Sequence, residues 1–332
     1  MKLPSFLQIE PVGQCNLRCQ MCPIQYRNDG PPRGMPAFLK FDTYLRILEQ
    51  LPQIEHLHLQ GLGEPMMHPR FFEMVSVAAA RGIRVTTNTN LTVLSPARAE
   101  LCVSSGLECI HISIDAASPE VYERIRVGSR MSRVLRNLAF LDDARRTLAS
   151  SLPRLRLVTV IMRQNLAELP ELVRLAHHWK MESMFVQHLC HDFGEATLPP
   201  AYLPMRQFVE SESLLGESRS SIESSFAAAR RTADELGLEL RLPQVDRGGF
   251  PDTMRGEERC DWPRRGIYIS YQGFVMPCCM ISTPDRLNFG NVSGNAIDVI
   301  WNGESYDEFR RRLASNEPPE VCQACSVYHG LF

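Results

Sequence analysis

No stretch of this sequence approaches 18 consecutive apolar residues, so it offers no membrane-spanning helix. The opening, Met1 to Gly13, is broken by Pro4, Gln8 and Glu10 and cannot supply the apolar core of a signal peptide. Charge of one sign is also missing. With 36 basic and 38 acidic residues the formal charge is -2, which gives no chain-wide reason to bind nucleic acid or an anionic membrane. Internal repeats and low-complexity tracts are absent. What remains is a soluble, cytoplasmic chain of 332 residues, 44% hydrophobic, large enough to bury a full core as one domain or two unequal ones. Its 11 cysteines stand out. The cytoplasm keeps thiols reduced, so their clustering points to metal rather than to disulfides.

From residue 7 to about 190, short strand-type runs alternate with longer amphipathic stretches. Strands are expected at 7 to 13, 56 to 61, 83 to 88, 109 to 115, 155 to 162 and 183 to 189. Helices are expected over Phe41 to Leu51, Pro69 to Arg81, Ser95 to Ser105, Ser132 to Leu148 and Glu168 to Lys180, with Asp42, Ser95 and Ser118 as capping residues. Six strand–helix units predict an α/β fold with a parallel sheet, either a partial TIM-like barrel or a doubly wound sheet. Residues 201–245 read as a helical connection, Ser-rich around Ser211 to Ser225. Beyond it, 246–332 changes to short strands such as Gly266 to Ser270, turns and paired cysteines, with too little apolar content to fold securely without a metal.

Directly after the first strand comes Cys15-Asn-Leu-Arg-Cys19-Gln-Met-Cys22. Three thiolates in one tight loop can hold three irons of a 4Fe–4S cluster and leave the fourth open, since full ligation by protein needs four cysteines. Zinc with a borrowed fourth ligand is the alternative, although structural zinc usually takes cysteine pairs two to four residues apart. The triplet resembles the radical S-adenosylmethionine (SAM) superfamily, in which the amino and carboxylate groups of SAM chelate the open iron. That resemblance implies a partial (β/α)6 TIM-like barrel over 1–200.

The ends of the other expected strands agree, because barrel active sites collect at the carboxyl ends. Gly61-Leu-Gly63-Glu64-Pro65 resembles the family segment whose backbone and acid receive the amino group of SAM, with glycines permitting close approach. His111, Ser113 and Asp115 alternate with Ile110, Ile112 and Ile114, so the polar set faces inward and the isoleucines face the helices. By resemblance, Asn88 and Ser113 contact the ribose or methionine end of SAM, Asp115 orders that shell, and Met21 faces the adenine. Arg163 is a candidate for the SAM carboxylate or the substrate. Asn88 as a turn residue and Asp115 as a helix cap are the plainer alternatives. His56 and His58 lack a third ligand and read as core or barrel-lining residues. Cys190, His188 and His191, near the end of the sixth strand, are possible substrate contacts.

A second set is Cys260, Cys278, Cys279, Cys322 and Cys325. Cys260, Gly273, Cys278 and the pair Cys322-Gln-Ala-Cys325, with Gly290-Asn291 and Ile300-Trp301-Asn302 between, resemble the SPASM and twitch extensions of radical SAM enzymes. A complete SPASM module needs further cysteines, and Ser326 to Phe332 supply none, so the resemblance implies one fully ligated auxiliary 4Fe–4S cluster of the twitch type. Cys279 competes with Cys278 as ligand, although the glycine spacing favours Cys278. A four-cysteine zinc ribbon stays open. Cys102 and Cys109 read as buried packing residues.

The resemblance implies a redox reaction sequence. A low-potential donor such as flavodoxin or ferredoxin reduces the N-terminal cluster, at roughly -400 mV or below. SAM is then cleaved to methionine and a 5'-deoxyadenosyl radical, which abstracts hydrogen from a substrate. A radical SAM oxidoreductase that dehydrogenates an alcohol of a sugar or cyclitol is the leading expectation. Against a ribosomally made peptide stands the start of the chain at the catalytic strand, without a peptide-recognition domain. The third reading is a non-enzymatic iron–sulfur or zinc scaffold.

Overall fold

The computed structural model describes residues 1–30, 35–189, 193–245, 254 and 256–331, without the side chains of 256 and 257. Cys190 and His191 therefore lie outside the described residues. Nine strands form one sheet: β1 Phe6–Ile9, β2 His56–Leu59, β3 Arg84–Thr89, β4 Leu107–Ser113, β5 Arg154–Ile161, β6 Ser183–His188, β7 Glu239–Arg241, β8 Gly266–Ile269 and β9 Val275–Met276. The order is β7-β6-β5-β4-β3-β2-β1-β8-β9, with every pairing parallel except β8 with β9. The sheet is an open, partial TIM-like barrel.

Helices α1 Phe41–Gln50, α2 Phe71–Ala80, α3 Pro96–Ser104, α4 Pro119–Ile125, α5 Met131–Thr147, α6 Leu169–His178, α7 Leu203–Glu212 and α8 Arg219–Leu236 follow the strands. Alternation along the strands sets the layers. Leu7, Ile9, Leu57, Leu59, Ile110, Ile112, Leu155, Leu157, Met184 and Val186 are buried in one core between sheet and helices. The intervening residues, among them Gln8, His58, Asn88, His111, Ser113 and Gln187, line the barrel interior. Helix starts follow local chemistry: Ser95 caps α3, its Oγ accepting from Arg98 N at 3.4 Å, and Pro96 occupies the first turn. The expected cap Asp42 instead lies in the first turn of α1, where its charge suits the helix dipole.

One short strand escaped the periodicity. β7 is three residues long, too short to show alternation, and it follows the helical stretch of α7 and α8. Beyond 246, the expected strand from Gly266 belongs to the barrel: β8 pairs with β1 from Phe6↔Gly266 to Ile9↔Ile269. β9 then returns antiparallel, carrying Cys278 towards the opposite end of the sheet. Trp301, fully buried, donates from Nε1 to Lys2 O at 3.0 Å and packs in the main core. Among the described residues, no helix is long and apolar enough to cross a membrane.

Candidate SAM and iron–sulfur site

The cysteine loop follows β1 and is fastened by backbone bonds to the end of α4: Arg18 N to Val127 O at 2.9 Å and Gln20 N to Ile125 O at 3.0 Å. Leu17 N and Asn90 Nδ2 donate to Cys15 Sγ at 3.4 and 3.6 Å. Cys15, Cys19, Met21 and Cys22 border an open cavity of about 850 Å³ together with Gly61, Gly63, Glu64, Asn88, Asn90, Ser113, Arg126 and Gln187. The sequence-predicted loop, glycine-rich segment and strand ends thus converge on one chamber. Gly63 shows why glycine is required. A Cβ there would stand 1.9 Å from Val12 O, so a side chain would push the loop off the cysteine segment.

Electrostatics at this site come mainly from burial. It pushes the thiol of Cys15 up to about 11 and that of Cys22 to about 12, and raises Cys19 too. Such thiols stay protonated unless a cation compensates them, which is what an iron cluster supplies. Among the described residues no three His, Cys, Asp or Glu groups converge tightly enough for a single metal ion. Three cysteines at the cavity without a fourth suit a multi-iron cube with one iron open better than a structural zinc, which takes four protein ligands. Glu64 is buried, and its carboxylate accepts from Met66 N at 3.1 Å, Thr89 Oγ1 at 2.7 Å and Asn90 N at 2.8 Å. A carboxylate has about four acceptor positions, so one remains for a further donor. Asn88 Oδ1 lies 2.7 Å from His111 Nδ1.

Asp115 is fully buried and does not line the cavity. It acts through Arg126: Arg126 Nε donates to Asp115 Oδ2 at 2.6 Å, and Val160 N donates to Oδ1 at 2.9 Å. Arg126, at the end of α4, reaches the chamber with Nη1 4.0 Å from Cys19 Sγ. Arg163 is not brought to this chamber. Its Nε donates to Ser213 O at 3.3 Å and faces Glu217 at 3.7 Å, because the turn it starts after β5 directs it over the short turn Leu214–Gly216. The basic group at the cysteine loop is therefore Arg126, which sequence reasoning passed over. Its signal was faint: an arginine closing a short helix that begins at Ser118-Pro119, just after the inward-facing Asp115.

Two further cavities extend the chamber, and both share Asn88 and Gln187 with it. One, of about 1050 Å³, runs past Gln8, Gln60, Phe185, Arg241 and Tyr268 to Cys279 and Met280. The other, of about 750 Å³, reaches His58, His111 and Arg156. Burial lowers His58 to about 3 and His111 to about 4, so both rings are neutral. His188 does not line these spaces; its Nε2 lies 2.5 Å from Gln244 O.

At the other cysteine set, Cys278 is half-buried beside Cys260, Cys279, Cys322 and Cys325, and desolvation together with their charges raises its thiol well above the ordinary range. Cys260 is pushed up to about 11 by burial, with Cys325 adding to it. Cys322 N donates to Pro319 O at 2.8 Å and Cys325 N to Cys322 O at 3.2 Å, which winds the pair into one turn. Tyr268, Met276, Ile281 and Trp262 pack around Cys278 and Cys279. Cys279 differs from Cys278 in also lining the chamber. Cys102 and Cys109 are buried away from both sets.

Comparison with known proteins agrees with this architecture. The chain belongs to the radical SAM superfamily, which it matches over residues 9–176. Residues 260–326 match the SPASM iron–sulfur cluster-binding domain. A 4Fe–4S cluster with SAM, and auxiliary iron–sulfur ligation, come with these two assignments. Among curated relatives, the tungsten-containing aldehyde ferredoxin oxidoreductase cofactor-modifying protein of Pyrococcus furiosus is 25% identical over 339 residues, covering 97% of this chain and 87% of the relative. The PqqA peptide cyclase of Xanthomonas campestris pv. campestris is 28% identical over 328 residues, covering 97% and 79%. Streptococcus suis SuiB, solved with its precursor peptide SuiA, shares the fold with a TM-score of 0.71 at 16% identity, over 99% of this chain and 71% of that one. Native anSMEcpe with bound AdoMet gives 0.68 at 15% identity, over 98% and 87%.

Proposed function

We propose that this radical SAM enzyme modifies a peptide held in the barrel between its two cysteine centres. The observation that carries the reading is a pair of adjoining cavities, one bordered by Cys15, Cys19 and Cys22 and the other by Cys279, that share Gln60, Asn88 and Gln187 as walls. Their walls present amides and guanidinium groups, Gln8, Gln60, Gln187 and Arg241, alongside the rings of Phe185 and Tyr268. Such a lining suits peptide groups and side chains together. The relatives named PqqA peptide cyclases, alignable over 97% of the chain, support the same substrate class. The expectation of a sugar or cyclitol alcohol gives way to this reading, because the peptide cyclases among the relatives favour a peptide over an alcohol.

When bound, the cluster and SAM supply a 5'-deoxyadenosyl radical on receipt of one electron from a donor such as flavodoxin or ferredoxin. The chain's part is to bind and orient. Cys15, Cys19 and Cys22 hold the SAM-binding cluster; the spare acceptor of Glu64 and the backbone at Gly61 and Gly63 take the SAM amino group. Arg126, held by Asp115, faces the SAM carboxylate, while Asn88, Ser113 and Met21 contact the rest of SAM. Cys260, Cys278, Cys322 and Cys325 hold one auxiliary cluster at the far end.

The test uses reduced, reconstituted protein with SAM and two deuterated pools, one of short peptides and one of sugars and cyclitols. Peptides are expected to stimulate 5'-deoxyadenosine formation and pass deuterium into it. Deuterium transfer from the polyols and none from the peptides would overturn the peptide reading.

A further inference from the structure

Behind the glycine-rich loop lies a buried charge cluster that the chemistry above does not use. Glu10, the residue after β1, is fully buried. Its Oε1 accepts from Leu62 N at 3.1 Å and from Arg27 Nη1 at 3.0 Å; its Oε2 accepts from Arg27 Nη2 and from Tyr271 N, both at 3.4 Å. Leu62 is the residue between the two cavity-lining glycines, and Gly61 lies directly against the Glu10 side chain: a Cβ there would come within 2.3 Å of Glu10 Cγ. Glu10 thus holds the middle of the loop, whose ends are held by Gln60 N to Ile9 O at 2.9 Å and Glu64 N to Gln14 O at 3.1 Å.

Glu10 is itself fixed from two sides. Arg27, its side chain 4% exposed, also donates to Asp29 through Nε and Nη2 at 2.8 Å and to Gly13 O at 3.2 Å. From the C-terminal region, the turn between β8 and β9 reaches in. Tyr271 OH donates to Asp29 O at 2.9 Å, Gln272 Nε2 donates to the same carbonyl at 2.7 Å, and the Arg27 guanidinium stands 5.1 Å from the Tyr271 ring centre. Three segments distant in sequence therefore meet at one carboxylate: the residues after the cysteine loop, the glycine-rich loop and a turn contributed by the region that carries the auxiliary cysteines.

We propose that Glu10 and Tyr271 are positioning residues for SAM, and that the turn from 270 to 273 is a structural part of the SAM site although it touches no part of the SAM chamber. The N–H of Leu62, held by Glu10, orients the carbonyls and N–H groups of Gly61 and Gly63 that face the ligand. Losing that hold leaves the cysteine loop and its cluster in place but lets the ligand-binding loop swing. The inference rests on the assignment of this chamber to SAM. It predicts which residues outside the chamber control affinity for it.

The experiment measures equilibrium binding of SAM to the reconstituted, unreduced holoenzyme, so that SAM is not consumed, with iron content and melting temperature recorded for each variant. Glu10→Ala is expected to weaken SAM binding by roughly tenfold or more, the usual scale for loss of a group that orients direct ligands. Glu10→Gln keeps an acceptor for Leu62 N and is expected to lose less than Glu10→Ala; that ordering is the signature of positioning rather than of general stability. Tyr271→Phe, which removes only the hydroxyl bond to Asp29, is expected to weaken binding about threefold with iron content unchanged. Wild-type affinity in Tyr271→Phe and in whichever Glu10 variant folds would overturn the proposal. If the wild-type holoenzyme binds no SAM at all, the chamber assignment fails instead, and the two failures are distinct.

Discussion

The two cysteine centres are built on opposite principles. The N-terminal one is local: three cysteines within the eight residues from Cys15 to Cys22, tied down by backbone bonds to 125–127 and opening on a polar chamber. The C-terminal one is assembled from residues 65 positions apart at its extremes, Cys260 and Cys325, by the β8–β9 hairpin and a terminal turn, and Tyr268, Met276 and Ile281 pack around it. A loop that supplies too few ligands leaves an iron for chemistry, whereas a fold that brings four cysteines together can ligate every iron of a cluster. Adjoining cavities that share Gln60, Asn88 and Gln187 lie between them, with Cys279 as the far wall.

The largest effects break this contrast outright. Cys22→Ala is expected to abolish SAM cleavage while leaving the auxiliary iron, and Cys322→Ala to remove auxiliary iron and loosen the C-terminal segments while leaving the N-terminal cluster. Iron analysis and electron paramagnetic resonance on the reduced proteins would check both. Next comes the support of the open centre. Arg126→Met leaves Asp115 buried and unpaired; the pair's side chains are 9% and 0% exposed, so about 3–5 kcal/mol of stability should go, read by denaturant melts. Arg163→Ala, by contrast, should change stability by about 0.5 kcal/mol or less and leave SAM affinity as it was.

A subtler handle is the chamber's own pH response. His58 and His111 are neutral when folded, at about 3 and about 4, and return to about 6.5 once unfolded. Stability is therefore complete above pH 6.5 and is lost progressively as pH falls towards 4. Replacing both by glutamine should flatten that slope in thermal melts between pH 7 and 5. Smallest of all, Cys279→Ala should leave auxiliary iron intact, whereas Cys278→Ala should not; the reverse pattern would make Cys279 the ligand.

How far the sequence reveals each centre follows from the same contrast. The cysteine triplet, Gly61 to Glu64 and the alternation of Ile110, Ile112 and Ile114 with His111 and Ser113 are local patterns, and six strands fall within a few residues of their periodicity. Relations across the chain are what it hides. That β8 would pair with β1, and that Tyr271 would reach Glu10, depends on a crossover no short window encodes. Arg163 and Arg126 exchange prominence for that reason: proximity to a strand end favours Arg163, but a buried partner, Asp115, draws Arg126 inward.

The most direct measurement compares wild-type protein with Cys15→Ala/Cys19→Ala/Cys22→Ala, each reconstituted and reduced with SAM under anaerobic conditions. The wild type should carry about eight irons per chain and release 5'-deoxyadenosine, and the triple variant about four irons and none. Deoxyadenosine from the triple variant, or an iron count that does not fall when the three cysteines are removed, would contradict the assignment of SAM cleavage to the N-terminal loop.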